Sequence, residues 1–228
     1  MPGAASGGVE LGDSAGHMGR IGPMGPMGLM GRCVRGIEMS LAILGEFLKN
    51  PKHIGAIAPS SRALSRMIVS DIDIESALVI LEYGPGTGVF TRQILRAKNP
   101  DAVFAAIERN ELLAAKFRHE FPHVPLYEDS AENAPGIIRH LGVDKVDCVI
   151  SGLPWAAFDD GLQDRLIEAT LEVLREGGTF VTFAYLQGLL LRSGKRFAEK
   201  LKANFSRVTR SGVVWWNLPP AFVYRCTR

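Results

Sequence analysis

The 228-residue sequence predicts an α/β fold: a largely parallel sheet with helices on both faces, preceded by an amphipathic helix. Three observations carry this reading. Short apolar runs alternate with helix-length amphipathic segments from about residue 78 to the C-terminus. A glycine-rich loop follows the first run and opens a helix. Acidic residues recur where the next runs end.

Residues 1–31 are rich in Gly, Met and Pro and have no period, so they are expected to form a disordered leader. Met18, Met30 and Met39 offer alternative starts. Residues 32–70 should hold N-terminal helices. Ile37, Leu41, Leu44 and Leu48 recur at helical spacing, with Ile43 and Phe47 widening the stripe. Asn50-Pro51 stops that helix. Arg32, Arg35, Lys49, Lys52 and His53 flank it, as befits either a membrane-surface helix or a lid packed over a site. Ser60 or Ser61 can cap a second helix through Arg62, Leu64, Met67 and Ile68.

The main domain is expected over 71–228. Strands are predicted at Leu78–Tyr83, Val103–Glu108, Val124–Tyr127, Val146–Ser151 and Thr179–Tyr185. Helices are predicted at Val89–Ala97, Glu111–Glu120, Ala134–Leu141, Leu162–Arg175 and Lys195–Ala203. Phe205–Trp215 and Ala221–Thr227 read as a closing pair of strands joined through Asn217-Leu218-Pro219-Pro220, adding an antiparallel strand.

Composition narrows the function classes. Hydrophobic residues make up 46% and charged residues 22%, an ordinary globular mix. There is no apolar run of bilayer length and no secretory signal pattern, so a cytoplasmic enzyme is expected, with contact to the inner face of a membrane left open. Cys33, Cys148 and Cys226 match neither a disulfide framework nor a zinc spacing, and no metal is expected. The net charge of +2 hides an asymmetry. Arg32 to Arg66 holds six Lys/Arg against two Glu, and Arg192 to Arg228 holds nine against one. Between them, ten basic residues face nineteen acidic ones. Basic ends suit lipid headgroups or nucleic acid, or simply solvated helix faces.

The strongest chemical signal is Glu82-Tyr83-Gly84-Pro85-Gly86-Thr87-Gly88. Glycines at alternate positions let the backbone turn sharply and let a ligand approach. An acid two residues ahead of the first glycine suits a cofactor with an amino-acid tail better than a pyrophosphate, attracting its ammonium directly or through water. Glu108, ending the next strand, can accept from a ribose diol. Asp129-Ser130 follows the third strand, where an acid can accept from an adenine amine. Ser151-Gly152-Leu153-Pro154-Trp155 follows the fourth. Open α/β sheets bind ligands at these strand ends.

This order of motifs resembles the class I S-adenosylmethionine-dependent methyltransferases. The resemblance implies a Rossmann-like, seven-stranded sheet and S-adenosyl-L-methionine as cofactor. It implies that Glu82, Gly84, Gly86 and Gly88 hold the methionine part, Glu108 the ribose, and Asp129 and Ser130 the adenine end, with Ser60, Tyr83, Arg109, Ala131 and Ser151 also binding the cofactor. A narrower likeness covers nearly everything after the leader. Phe47-Leu48-Lys49-Asn50-Pro51, Gly55-Ala56-Ile57-Ala58-Pro59-Ser60-Ser61, Ser151-Gly152-Leu153-Pro154 and Asn217-Leu218-Pro219-Pro220-Ala221 resemble bacterial phospholipid N-methyltransferases. Those enzymes methylate phosphatidylethanolamine up to three times toward phosphatidylcholine, and their N-terminal amphipathic helix touches the membrane. The alternative is a relative of the ribosomal RNA adenine dimethyltransferases, which carry Asn or Asp where this chain has Ser151, a poorer acceptor for an adenine amine. Trp155 keeps the aromatic that could stack a base. A third reading is a protein that binds the cofactor without turnover.

Methyl transfer to an amine is an in-line displacement that needs alignment and an uncharged nitrogen rather than a protein nucleophile. Ser151, Gly152, Leu153, Trp155 and Tyr185 are the expected catalytic residues. Tyr185, Tyr127 or a carbonyl of the Ser151–Leu153 loop is a candidate proton acceptor. Trp155, Tyr185 and Trp216 are candidates to face a methylated ammonium, with core packing as the alternative. Arg192, Lys195, Arg196, Lys200 and Lys202 are candidates to meet lipid phosphate. The expected partner is thus an anionic or zwitterionic phospholipid surface, with nucleic acid taking its place in the alternative reading.

Overall fold

A computed structural model describes residues 62–228. The leader, the helix expected at 36–50, the motifs at 47–51 and 55–61, Cys33 and the Ser60 or Ser61 cap lie outside the described residues.

Seven strands form one sheet in the order β3-β2-β1-β4-β5-β7-β6. They are β1 (Val79–Tyr83), β2 (Val103–Ile107), β3 (Leu126–Tyr127), β4 (Val146–Ser151), β5 (Leu174–Tyr185), β6 (Arg207–Arg210) and β7 (Ala221–Thr227). β3, β2, β1, β4 and β5 pair in parallel, while β7 runs antiparallel to both β5 and β6. The helices are α1 (Arg62–Val69), α2 (Val89–Ala97), α3 (Glu111–Glu120), α4 (Ala134–His140), α5 (Asp160–Val173) and α6 (Arg192–Asn204).

Side chains alternate across each strand, so successive residues feed two cores. Ile80, Phe104, Ile150, Val181 and Val223 meet Leu64 and Ile68 of α1 and Phe90 and Ile94 of α2. Leu81, Tyr83, Val149, Phe180 and Tyr224 meet Ile137 of α4, Leu166 of α5 and Phe197 and Leu201 of α6. Cover on both faces explains why the central strands are nearly all apolar. Arg225 of β7 secures the end of α1. Its guanidinium donates to the carbonyls of Ser70 at 2.8 Å and Met67 at 2.9 Å, where the helix has unpaired acceptors and favours a cation.

Boundaries differ most from expectation at three places. The fifth helix ends at Val173, and the chain enters β5 at once; Leu174 pairs with Val146, and the pairing resumes only at Thr179–Cys148. Gly177, at φ 72°, lets the intervening residues loop out. The strand expected at Phe205–Trp215 is only Arg207–Arg210, because Phe205 caps α6 and stacks on Phe180 at 5.6 Å. The chain then leaves the sheet and returns through one bridge, Val214 to Ala221. The helix expected from Lys195 starts three residues earlier, at Arg192.

Candidate active site

The site lies at the carboxyl edge of the parallel strands, around the β1 loop. Alternation turns Glu82 to the same face as Ile80, beneath α2. The first turn of α2 brings Thr91 there, and its hydroxyl donates to Glu82 Oε2 at 2.7 Å. Glu82 is fully buried, and its Oε1 has no hydrogen-bond partner. Burial pushes the carboxyl up to about 8; the Thr91 hydroxyl opposes the rise and the charge of Glu108 adds to it. Thr91 was not a sequence candidate. Its signal was a polar residue on the apolar face marked by Phe90 and Ile94.

The loop glycines divide by role. Gly84, Gly86 and Gly88 have φ of 62°, 55° and 74°, a region that favours glycine. A Cβ on Gly84 would lie 2.7 Å from Leu153 Cδ2, and one on Gly88 would lie 2.0 Å from Phe121 Cε2. Those two positions therefore make room for the protein itself. A Cβ on Gly86 would meet nothing within 4 Å, so Gly86 is where the loop faces open space. Glu108 Oε2 accepts from the Gly86 amide at 3.1 Å, and its Oε1 from the Asn110 amide at 2.9 Å. Burial pushes Glu108 up as well, against the lowering pull of those amides. The Glu108 carboxylate thus ties the end of β2 to the loop.

Tyr83 contributes backbone only. Its ring is fully buried, and its carbonyl accepts from the Gly152 amide at 2.7 Å. Arg109 is exposed. Asp129 Oδ1 accepts from the Ser130 amide at 2.6 Å and from Asn133 Nδ2 at 2.8 Å. The Ser130 hydroxyl caps the short turn Ala131–Asn133, in which Ala131 is buried. These acids stand in order along the edge, at the ends of β1, β2 and β3.

The segment after β4 is locked from several sides. Ser151 Oγ accepts from Trp155 Nε1 at 3.0 Å and from the Leu153 amide at 3.3 Å. Thr182 donates to the Ser151 carbonyl at 3.2 Å, and Gln163 Nε2 to the Trp155 carbonyl at 2.8 Å. A Cβ on Gly152 would lie 2.5 Å from the Gly84 carbonyl oxygen, so the segment lies directly against the glycine loop. Trp155 is 2% exposed. It stacks on Phe197 at 4.7 Å and takes the edges of Phe180 and Phe158. Beside this segment lies a small apolar cavity of about 20 Å³, lined by Pro154, Ala156, Phe183, Tyr185, Leu189 and Tyr224 among others. Tyr185 is half-buried there, and burial raises its pKa.

Other candidates are separated from this cavity. Tyr127 sits on β3, with β2 and β1 between it and β4, roughly 14 Å at ordinary strand spacing, and its ring meets the edge of His140. It therefore stands apart from the cavity. Trp216 is 91% exposed, which excludes both core packing and a place in the cavity. Arg196 pairs with Asp160, and Lys200 pairs with Asp164 at 2.7 Å. Lys202 is near the far end of α6, whereas Arg192 and Lys195 are exposed in its first turn, at the site edge. Among the described residues there is no cluster of three His, Cys, Asp or Glu that could hold a metal, and no helix long and apolar enough to cross a membrane. Cys148 and Cys226 are buried free thiols, both pushed up to about 12 by burial.

No protein-family model matches the chain. It is 32% identical over 186 residues to an ornithine lipid N-methyltransferase of Singulisphaera acidiphila, covering 80% of this chain and 93% of that protein. A shorter match, 36% over 77 residues, is to ribosomal RNA small subunit methyltransferase A of Chlorobium luteolum; it spans 34% of this chain and only 27% of that protein. Among solved structures, an O-methyltransferase of Bacillus cereus superposes with a TM-score of 0.60 at 16% identity, over 85% of this chain and 91% of that one. The chain belongs to the class I S-adenosylmethionine-dependent methyltransferases. Of these two sequence likenesses, the one to the ornithine lipid N-methyltransferase covers the larger share of this chain, 80% against 34%.

S-adenosyl-L-methionine, the cofactor of this family, fits the residues present. The unpaired oxygen of Glu82 and the open face of Gly86 suit an ammonium-bearing tail laid over the loop. Because Glu82 is sealed beneath that loop, its carboxylate would act on such an ammonium through water or through its field rather than by surface contact. Bound there, the cofactor supplies a methyl group on a sulfonium.

Proposed function

We propose that this methyltransferase methylates the primary amine of a membrane aminolipid headgroup, of the phosphatidylethanolamine or ornithine-lipid kind. The observation that carries this reading is the 32% identity to an ornithine lipid N-methyltransferase over 80% of this chain and 93% of that protein. The small apolar hollow walled by Pro154, Ala156, Phe183 and Leu189, beside the segment that lies against the glycine loop, is in keeping with a lipid acceptor.

The amine must lose its proton to water before attack. Held over the Gly84–Gly88 loop, the cofactor's sulfonium would supply the methyl group to the amine's lone pair and would leave as the neutral thioether, keeping the electron pair of the broken S–C bond. The protein's part is placement. Ser151, Gly152 and Leu153 hold the edge that separates cofactor from cavity. Tyr185 stays a neutral phenol at neutral pH, since burial raises its pKa, so it hydrogen-bonds the incoming nitrogen rather than attracting it as a phenolate. Its half-buried ring offers a face to the methylated ammonium, whereas the Tyr224 ring is buried and already covered by the Arg210 guanidinium at 5.3 Å. Trp155 serves differently, as the packed pillar of the loop. With its ring covered and Ser151 Oγ already engaged, the adenine reading has neither a stacking face nor a free acceptor in its motif.

The test is methyl transfer from labelled S-adenosylmethionine to vesicles of phosphatidylethanolamine or of ornithine lipid, each mixed with an anionic lipid, with undermodified ribosomal RNA in parallel. Label in a lipid phase, lost in Glu82→Ala, is expected. Label only in RNA would overturn the proposal.

A further inference from the structure

The most exposed large apolar side chains of the described residues gather on two connections. Trp216 is 91% exposed, Leu218 79%, Leu190 68% and Trp215 65%. Leu190 ends the short turn after β5, and the other three lie on the β6–β7 loop. Both connections rise from one edge. Tyr185, at the carboxyl end of β5, pairs with Ala221, at the start of β7, and the Leu186 amide donates to the Pro220 carbonyl at 2.8 Å. That edge is also where the glycine loop and the apolar cavity open.

Loop chemistry ordinarily puts Gly, Asn or Asp at such positions. Here Val214 bridges Ala221, the Asn217 amide donates back to the Val214 carbonyl at 3.2 Å, and Trp215 and Trp216 occupy the centre of that turn. Asn217 is 4% exposed, and its side chain donates to the Pro219 carbonyl at 2.7 Å. The frame of the loop is therefore anchored while its tryptophans are thrust outward. Beside it, α6 opens with Arg192 and Lys195 exposed and with no acid in its first turn. Cations there oppose the helix dipole, an arrangement that helix stability alone disfavours. Ser193 and Gly194 hold this start in place: the Ser193 hydroxyl donates to the Ala156 carbonyl at 2.7 Å, and a Cβ on Gly194 would lie 2.0 Å from the Gly188 carbonyl oxygen.

We infer that the tips of the β6–β7 loop and of the Leu186–Leu190 turn insert into an anionic lipid bilayer, with Arg192 and Lys195 on its phosphates, so that the cavity opens onto the membrane. Tryptophan at the loop tip suits the boundary between headgroup and acyl chain, and the two cations suit its negative surface. The inference rests on the lipid reading above and adds the surface through which the lipid is reached.

The test uses the full chain with vesicles of phosphatidylethanolamine and phosphatidylglycerol carrying brominated acyl chains. Trp155 is buried in the aromatic cluster and cannot be reached, so quenching reports on Trp215 and Trp216. Clear quenching is expected. Trp216→Ser with Leu218→Ser should lower vesicle partitioning about tenfold, and Leu190→Ser should lower it in the same direction. Turnover of water-soluble glycerophosphoethanolamine should stay within about twofold, since none of these residues lines the cavity. Unquenched tryptophans with unchanged partitioning, while lipid is still methylated, would overturn the inference and leave the proposed function standing. A dimer in solution that the double variant splits would assign the loop to a second copy and also overturn it. Quenching without any lipid methylation would count against the proposed function instead.

Discussion

Replacing Glu82 with Gln probes the electrostatics beneath the loop. The carboxyl is fully buried and is raised to about 8 from an ordinary 4.5. A pKa raised in the folded state contributes stability that is fully present below the unfolded value and is lost as pH rises through the folded one. Between those limits the unfolded chain releases a proton that the folded chain keeps. The slope is about 1.4 kcal/mol per pH unit, so a rise from about pH 5.5 to about 7.5 costs on the order of 2–3 kcal/mol. The assay is urea unfolding of ligand-free wild type and Glu82→Gln at both pH values, read as the difference between the two so that the other titrating groups largely cancel. Wild type should lose stability relative to the variant across this window. Saturation with S-adenosylhomocysteine, whose ammonium favours the ionised carboxyl, should flatten that difference. Parallel behaviour of the two ligand-free proteins would refute the reasoning that burial holds Glu82 neutral.

Two further perturbations separate packing from ligand contact. Gly88→Ala puts a Cβ 2.0 Å from the Phe121 ring at a φ of 74°, and urea unfolding should show a loss of more than about 2 kcal/mol. Gly86→Ala meets no atom and should cost only about 1 kcal/mol of backbone strain, yet calorimetric titration should show at least about tenfold weaker cofactor binding. Trp155→Phe keeps a ring on Phe197 but deletes the donor to Ser151 Oγ; unfolding should report a loss of about 1–2 kcal/mol.

Much of this protein was legible in the linear sequence, because the information there is periodic and local. The alternation of apolar runs with amphipathic segments determined the parallel sheet with both faces covered, and α2, α3 and β4 fall where the spacing put them. The glycine loop announced itself because positive φ restricts residue choice at single positions. What tertiary structure decided is which atoms those positions meet. Gly84 and Gly88 yield space to Leu153 and Phe121, side chains 69 and 33 residues away, while Gly86 alone faces outward. The partnership of Glu82 with Thr91 depends on how α2 docks over β1. Trp155 and Trp216 illustrate the same limit: both are tryptophans near proline, one sealed between Phe197 and Phe180 and the other almost wholly exposed. Hydrophobicity is a property of the residue, but burial belongs to the surfaces that fold against it, and those come from strands and helices remote along the chain.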